Sequence, residues 1–194
     1  MSQFRADSYL WIHLWGIALL PLFLEVVWLS LAIGDPFFPF WIELILLVAI
    51  GIFPIFLMQW YRPFDFFSLL LFALKPVALT VERQQILSLL KTTKQRMITL
   101  FSALIMAVTL WFIYLWSPLA ATVAANFPQW RILGLMTAGV AFFFCNLFFQ
   151  VPMSVLGILL TSDSKFNATE PYSHQKIAKN FIVPGFRLDR IFSL

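Results

Sequence analysis

Residues 41–60 read WIELILLVAIGIFPIFLMQW. This apolar run begins at Trp41 and ends at Trp60, and an α-helix joining the two would rise about 28 Å, close to the ~30 Å hydrocarbon core of a bilayer. Tryptophan is enriched at both membrane–water interfaces because its ring is apolar and its N–H is polar. The stretch therefore predicts a membrane-spanning helix with a tryptophan anchor at each end.

Three more apolar runs of similar length lie at 9–33, 97–117 and 132–152. The chain is 61% hydrophobic and 11% charged, whereas a soluble domain has roughly 45–50% and 25%. These features predict an all-α membrane protein with four transmembrane helices in a domain that covers 1–160. The two longest segments outside the spans are an inner loop at 61–96 and a tail at 161–194.

The basic residues lie almost entirely on one side of the predicted spans. Of the thirteen Lys and Arg residues, only Arg131 falls outside the N-terminus, the 61–96 loop and the tail. The positive-inside rule then predicts that both termini and the 61–96 loop are cytoplasmic. The formal charge of +4 indicates orientation and contact with anionic lipids, and nucleic acid is not expected as a partner.

The inner loop has two features of its own. The apolar run 65–74 is too short to cross a bilayer, so it is expected to lie in the interface or to re-enter shallowly. Residues 81–91 mix apolar and polar groups and predict an interfacial amphipathic helix with Thr80 as its N-cap. The basic residues that follow are predicted to contact anionic lipid headgroups; they are Lys91, Lys94 and Arg96.

The end of the tail combines large apolar groups with charges, which is unusual for a solvated segment. We expect it to dock on a partner or to lie back on the membrane surface. The residues predicted to do so are Phe186, Arg187, Arg190 and Phe192.

Polar residues inside a span are costly in lipid, so they are the candidates for function. Glu25 lies roughly 12 Å from the outer end of the first predicted span, and His13 lies near the inner end of the same helix. Asn146 and Gln150 are four residues apart and share one face of the fourth span. Glu43 lies close to Trp41 and is expected to be interfacial.

Each of these residues has a functional and a structural interpretation. Glu25 could bind a proton or cation in a transporter, or it could be protonated or paired. His13, Asn146 or Gln150 could ligate the magnesium of a chlorophyll, or the two amides could hydrogen-bond across helices.

No catalytic signature or phosphate-binding glycine loop is present in the sequence, which favours a protein that is not an enzyme. Two histidines and one cysteine make no metal site of known spacing. Cys145 is expected to be a small buried packing residue.

Several short motifs resemble the cyanobacterial family of low-complexity tail membrane proteins over residues 1 to about 166. They are MSQFR at 1–5, YLWIHL at 9–14, GDP at 34–36, RPF at 62–64, ALKP at 73–76, NLFFQVP at 146–152 and LLTS at 159–162. The tail departs from the family name because it is short and not repetitive. The resemblance implies a photosynthetic prokaryote, and so a thylakoid or plasma membrane, but carries over no catalytic residues.

The residues and the resemblance together favour a non-enzymatic membrane protein that assembles with or stabilises a larger membrane complex, and the resemblance implies a photosynthetic one. The small size, the many phenylalanines and the basic–aromatic tail support this function. One alternative is a small oligomeric transporter or channel that uses Glu25. A further alternative is a pigment-binding protein with chlorophyll or carotenoid as its cofactor.

Overall fold

The computed structural model describes residues 3–69, 72–184 and 186–188, and most of them are helical. The α-helical elements are α1 (Ser8–Leu31), α2 (Phe40–Tyr61), α3 (Val81–Leu90), α4 (Thr93–Ala124), α5 (Arg131–Leu159), α6 (Asp163–Asn167) and α7 (His174–Asn180). The strands are β1 (Ser68–Leu69), β2 (Phe72–Leu74) and β3 (Phe186–Leu188). Within the described residues, α1, α2, α4 and α5 are long and apolar enough to cross a membrane. The prediction of four helices of membrane-spanning length and hydropathy is therefore confirmed.

Two of the spans change their helical geometry just before a proline. In α1 the turn Gly16–Leu19 is a 3-10 helix and precedes Pro21. In α2 the turn Val48–Ile52 is a π-helix and precedes Pro54. A proline has no N–H to donate and its ring displaces the carbonyl four residues earlier, which accounts for the tighter turn in α1 and the wider turn in α2. The third span, α4, contains a 3-10 turn, Ser117–Ala120, that begins with Ser117-Pro118 and is followed by a last α-helical turn, Ala121–Ala124.

The chain divides into two compact units, each built from separate stretches of sequence. The loop–tail unit consists of Met1–Trp15, Leu57–Thr99 and Val151–Leu194, and the central unit consists of Gly16–Phe56 and Leu100–Gln150. We describe each unit by itself.

A three-stranded sheet joins the inner loop to the tail in the loop–tail unit. Strands β1 and β2 form an antiparallel hairpin with Ser68 opposite Ala73, and β3 pairs parallel to β2 with Phe72 opposite Phe186. This sheet was not predicted. The run 65–74 contains the hairpin, and its Phe66 and Phe67 are fully buried.

Helix α3 packs against the same core. Thr80 Oγ1 accepts a hydrogen bond from the Arg83 N–H (3.4 Å), which confirms the predicted N-cap. The apolar face of α3 is buried within the loop–tail unit, at Ile86, Leu87, Leu89 and Leu90. The tail contributes Phe166, Ile177 and Phe181 to the buried residues. The large apolar groups of residues 161–184 are therefore mostly used inside the protein's own fold.

Close helix packing defines the central unit. Its apolar core includes Val27, Leu47, Met106, Leu110 and Phe142, and Cys145 is fully buried as predicted. Gly134 of α5 lies so near α1 that a Cβ there would meet the Ser30 carbonyl oxygen at 2.6 Å. Small residues permit such close approach between membrane helices.

The tight turn after α1 depends on Gly34. Its φ is +66°, a left-handed conformation that residues with a Cβ rarely adopt. The Gly34 N–H donates to Gln129 Oε1 (3.0 Å), which links this turn to the segment before α5.

Candidate functional site: intramembrane polar residues

Glu25 lies on an exposed face of α1 in the central unit. Since α1 ends at Leu31, Glu25 is roughly 9 Å from the end of the helix. Beside it is a groove of about 540 Å³. The groove is lined by Leu24, Glu25, Trp28, Thr109, Phe112, Ile113, Trp116 and Leu119. Glu25 therefore presents a carboxyl group at the edge of an almost wholly apolar surface.

His13 belongs to the loop–tail unit and connects α1 to the hairpin. Its Nε2 lies 2.9 Å from the Phe66 carbonyl oxygen, and since a carbonyl only accepts, Nε2 must carry the hydrogen. The imidazole also contacts the rings of Phe64 and Phe66, with centroids 5.5 and 5.7 Å away. This environment gives His13 an anchoring role.

Asn146 and Gln150 lie on one face of α5 as predicted, and both are buried. Gln150 Nε2 donates to Asn146 Oδ1 (3.3 Å), and Asn146 Nδ2 donates to the Phe142 carbonyl (2.9 Å). These hydrogen bonds run along α5 and do not cross to another helix, which was one of the two interpretations of these amides. Because the two residues are one turn apart, their amides reach each other before they reach a neighbouring helix. Among the described residues, Gln150 Oε1 has no hydrogen-bond partner.

The central unit contains a buried charge cluster that the sequence analysis did not identify. Arg131 Nε donates to Glu43 Oε1 (3.0 Å), and Arg131 Nη2 donates to Glu43 Oε2. The Tyr114 hydroxyl also donates to Glu43 Oε2 (2.9 Å). Arg131 Nη1 donates to the carbonyls of Leu31 (2.6 Å) and Ile33 (3.3 Å) at the end of α1.

The cluster joins residues from all four long helices and their ends. Glu43 is 0% exposed and Arg131 is 8% exposed, so both charges are buried inside the protein, and the interfacial depth of Glu43 stays a prediction. Burial is tolerated because both charges are paired and hydrogen-bonded. The sequence did contain a signal for this pair: Glu43 and Arg131 have opposite charges, and each lies near the start of a predicted span on the same side of the membrane.

The three basic residues assigned to lipid headgroups occupy different environments in the loop–tail unit. Lys94 Nζ donates to the Gly157 carbonyl near the end of α5 (3.0 Å). Lys91 Nζ donates to the Tyr61 carbonyl (2.8 Å), and the Arg96 guanidinium lies 5.8 Å from the Trp60 ring centroid. Burial lowers the pKa of Lys91, and the positive charges of Arg96 and then Arg62 lower it further.

The predicted docking residues of the tail are described only in part. Phe186 begins β3 and is 76% exposed. Arg187 also pairs in β3, opposite Ala73. Arg190 and Phe192 lie outside the described residues.

The four long apolar helices and the compositional bias define an integral membrane protein. The family model described as low-complexity tail membrane protein-like matches residues 6–193, so the chain belongs to this family. The match confirms the resemblance and extends it through the tail. No curated protein and no solved structure matches the chain.

Proposed function

We propose that this protein is a non-enzymatic membrane subunit that assembles with a larger membrane complex and stabilises it through the Glu25 face of α1. The observation that carries the proposal is an exposed carboxyl group on a helix that is long and apolar enough to span a membrane. An acidic side chain costs roughly 2.5–3.5 kcal/mol at the bilayer centre and less towards the interface, so Glu25, about 9 Å from the end of its helix, carries part of this cost. Such a residue is retained more readily when a neighbouring helix supplies its partner.

The groove indicates what that partner is like. Its walls are aromatic and aliphatic, and Glu25 is its one ionisable group. In the part of the chain that the structure describes, no cation pairs with Glu25; the ion pairs found are Arg5–Asp163, Arg83–Asp7 and Arg131–Glu43. The complementary surface is a transmembrane helix with bulky apolar side chains and one Lys, Arg or His at the level of Glu25.

The proposed setting follows from the charge pattern and the resemblance. The one-sided distribution of Lys and Arg supports cytoplasmic termini and a cytoplasmic loop–tail unit. The resemblance supports a cyanobacterial thylakoid or plasma membrane, and hence a photosynthetic complex as the partner.

The test is affinity purification of the tagged full chain from native membranes in mild detergent, followed by quantitative proteomics. Glu25→Gln keeps the shape and removes the charge, so we expect the amount of co-purifying partner to fall by about tenfold or more, the effect of ~1.4 kcal/mol. Glu25→Asp keeps the charge and should retain most of the partner. Glu82→Gln in α3 is the matched control for removing an acidic charge elsewhere.

The proposal is refuted if Glu25→Gln and Glu25→Lys both recover the same partners as the natural chain. Each variant must elute from gel filtration at the same volume as the natural chain, so that a folding defect is not counted as lost binding.

The same carboxyl group supports a second candidate, a small oligomeric transporter. Glu25 is exposed beside a groove of about 540 Å³, so a second copy packed on this face would place the carboxyl group along a path between copies. Glu25→Gln would then abolish proton or cation flux into liposomes while leaving the purified complex intact. The visible spectrum of the same eluate tests the pigment-binding alternative, since bound chlorophyll or carotenoid would absorb there.

A further inference from the structure

Three cationic side chains converge where α2 ends and α4 begins. Arg62 directly follows α2, Lys91 directly follows α3, and Arg96 lies in the first turn of α4. All three belong to the loop–tail unit. Because α2 and α4 are long and apolar enough to cross a membrane, a bilayer around them would place its headgroups at the level of these side chains.

Contacts with a common set of residues hold two of the cations near each other. Arg62 Nη2 donates to the carbonyls of Ala178 and Phe181, both at 3.3 Å. Lys91 Nζ donates to the carbonyl of Tyr61, the residue before Arg62, and lies 5.2 Å from the Phe181 ring centroid. Lys91 and Arg62 are therefore anchored on the same two short stretches of chain.

Arg96, in the first turn of α4, lies close to the end of α2. Its guanidinium lies over Trp60, the residue before Tyr61. The depressed pKa of Lys91, which arises from burial and from the charges of Arg96 and Arg62, agrees with this proximity.

No carboxylate offsets these charges within the described residues. The ion pairs found there involve Arg5, Arg83 and Arg131. The hydrogen bonds of Arg62 and Lys91 go to backbone carbonyls, which leave the formal charges uncompensated. Arg62 and Arg96 are exposed and Lys91 is half-buried, so an anion can reach all three.

We propose that Arg62, Lys91 and Arg96 form a binding site for the headgroup of an anionic phospholipid. A phosphate oxyanion suits two guanidinium groups and one ammonium group, because it accepts charge-assisted hydrogen bonds from each. Trp60 and Tyr61 supply the amphipathic rings that favour the membrane interface. Lys94, which bonds to Gly157, lies outside this site.

Native mass spectrometry of the purified full chain in detergent, titrated with phosphatidylglycerol or phosphatidylcholine, tests the site. We expect phosphatidylglycerol to bind preferentially. Removing one of the charges should weaken its binding by about fivefold, and Arg62→Gln/Lys91→Gln/Arg96→Gln together by about a hundredfold, at ~1 kcal/mol per basic residue. The matched control removes three exposed lysines from the same unit: Lys165→Gln/Lys176→Gln/Lys179→Gln.

Arg96→Gln protects the test against misfolding, because the Arg96 side chain makes no hydrogen bond among those described, and this variant alone should show the fivefold loss. Equal binding by the triple variant and its control would overturn the proposal. The phosphate group could come from a lipid headgroup or from free inorganic phosphate, and a competition experiment distinguishes the two. If millimolar inorganic phosphate competes as potently as the lipid, the site binds a soluble anion and the lipid assignment is overturned. Because none of these residues lines the Glu25 groove, loss of the lipid site and loss of the partner are separable results.

Discussion

The buried carboxyl group of Asp65 is expected to make the stability of this protein depend on pH in a specific way. Asp65 is 1% exposed, and its Oδ1 accepts a hydrogen bond from the Phe67 N–H (2.9 Å). Burial raises the pKa of Asp65 from 3.8 to about 6, against the opposing effect of the Phe67 hydrogen bond. The folded protein therefore holds this proton more tightly than the unfolded chain does.

The sign and size of the effect follow from that difference. As the pH rises above 3.8 the unfolded chain ionises while the folded protein does not until about 6, so the free energy of unfolding falls over this range. At 1.36 kcal/mol for each pH unit between the two pKa values, the free energy of unfolding falls by about 3 kcal/mol in total once the pH is well above 6. About 2 kcal/mol of this total is lost between about pH 4.5 and about pH 7.5.

Asp65→Asn isolates this contribution. The asparagine retains an oxygen that can accept the Phe67 hydrogen bond but has no ionisation, so its unfolding should lack the fall of about 2 kcal/mol over that pH range. The measurement is thermal unfolding in detergent, followed by near-ultraviolet circular dichroism at a series of pH values. Glu170→Gln, at an exposed site, is the control and should retain the dependence of the natural chain. If Asp65→Asn shows the same dependence as the natural chain, Asp65 does not carry the effect and the reasoning is wrong.

Three further predictions concern packing and paired charges. Glu43→Gln leaves Arg131 buried and without its carboxylate, so we expect a loss of about 3–5 kcal/mol in the free energy of unfolding; a change below ~1 kcal/mol in denaturant titrations would contradict the buried pair. Gly134→Ala places a Cβ 2.6 Å from a backbone carbonyl of α1 and should cost about 1–3 kcal/mol, visible as a lower Tm than that of the natural chain. Phe181→Ala removes a fully buried ring and should cost about 3–5 kcal/mol, whereas the exposed Phe186→Ala should leave unfolding unchanged; equal effects of the two would show that the tail does not pack as described.

The four spans could be predicted from local sequence because a helix in lipid satisfies its own backbone hydrogen bonds, so a long enough apolar run suffices. The cap at Thr80 was equally local, since one side chain and one N–H three residues away decide it. The hairpin within 65–74 was not predicted, because a short apolar run has the same composition in a strand, a buried helix or an interfacial segment. Its pairing with β3 joins residues more than a hundred positions apart.

Sequence alone determined the class of the protein, the number of spans and the polar residues within them, because hydropathy and helix length act residue by residue along the chain. Only the tertiary structure decided which of those polar residues have an ion-pair or hydrogen-bond partner within the protein. It buried Glu43 against Arg131 and paired Asn146 with Gln150 along α5, and it left Glu25 on an exposed face. Partners for a charge come from distant parts of the chain, and hydropathy contains no information on which helix faces meet.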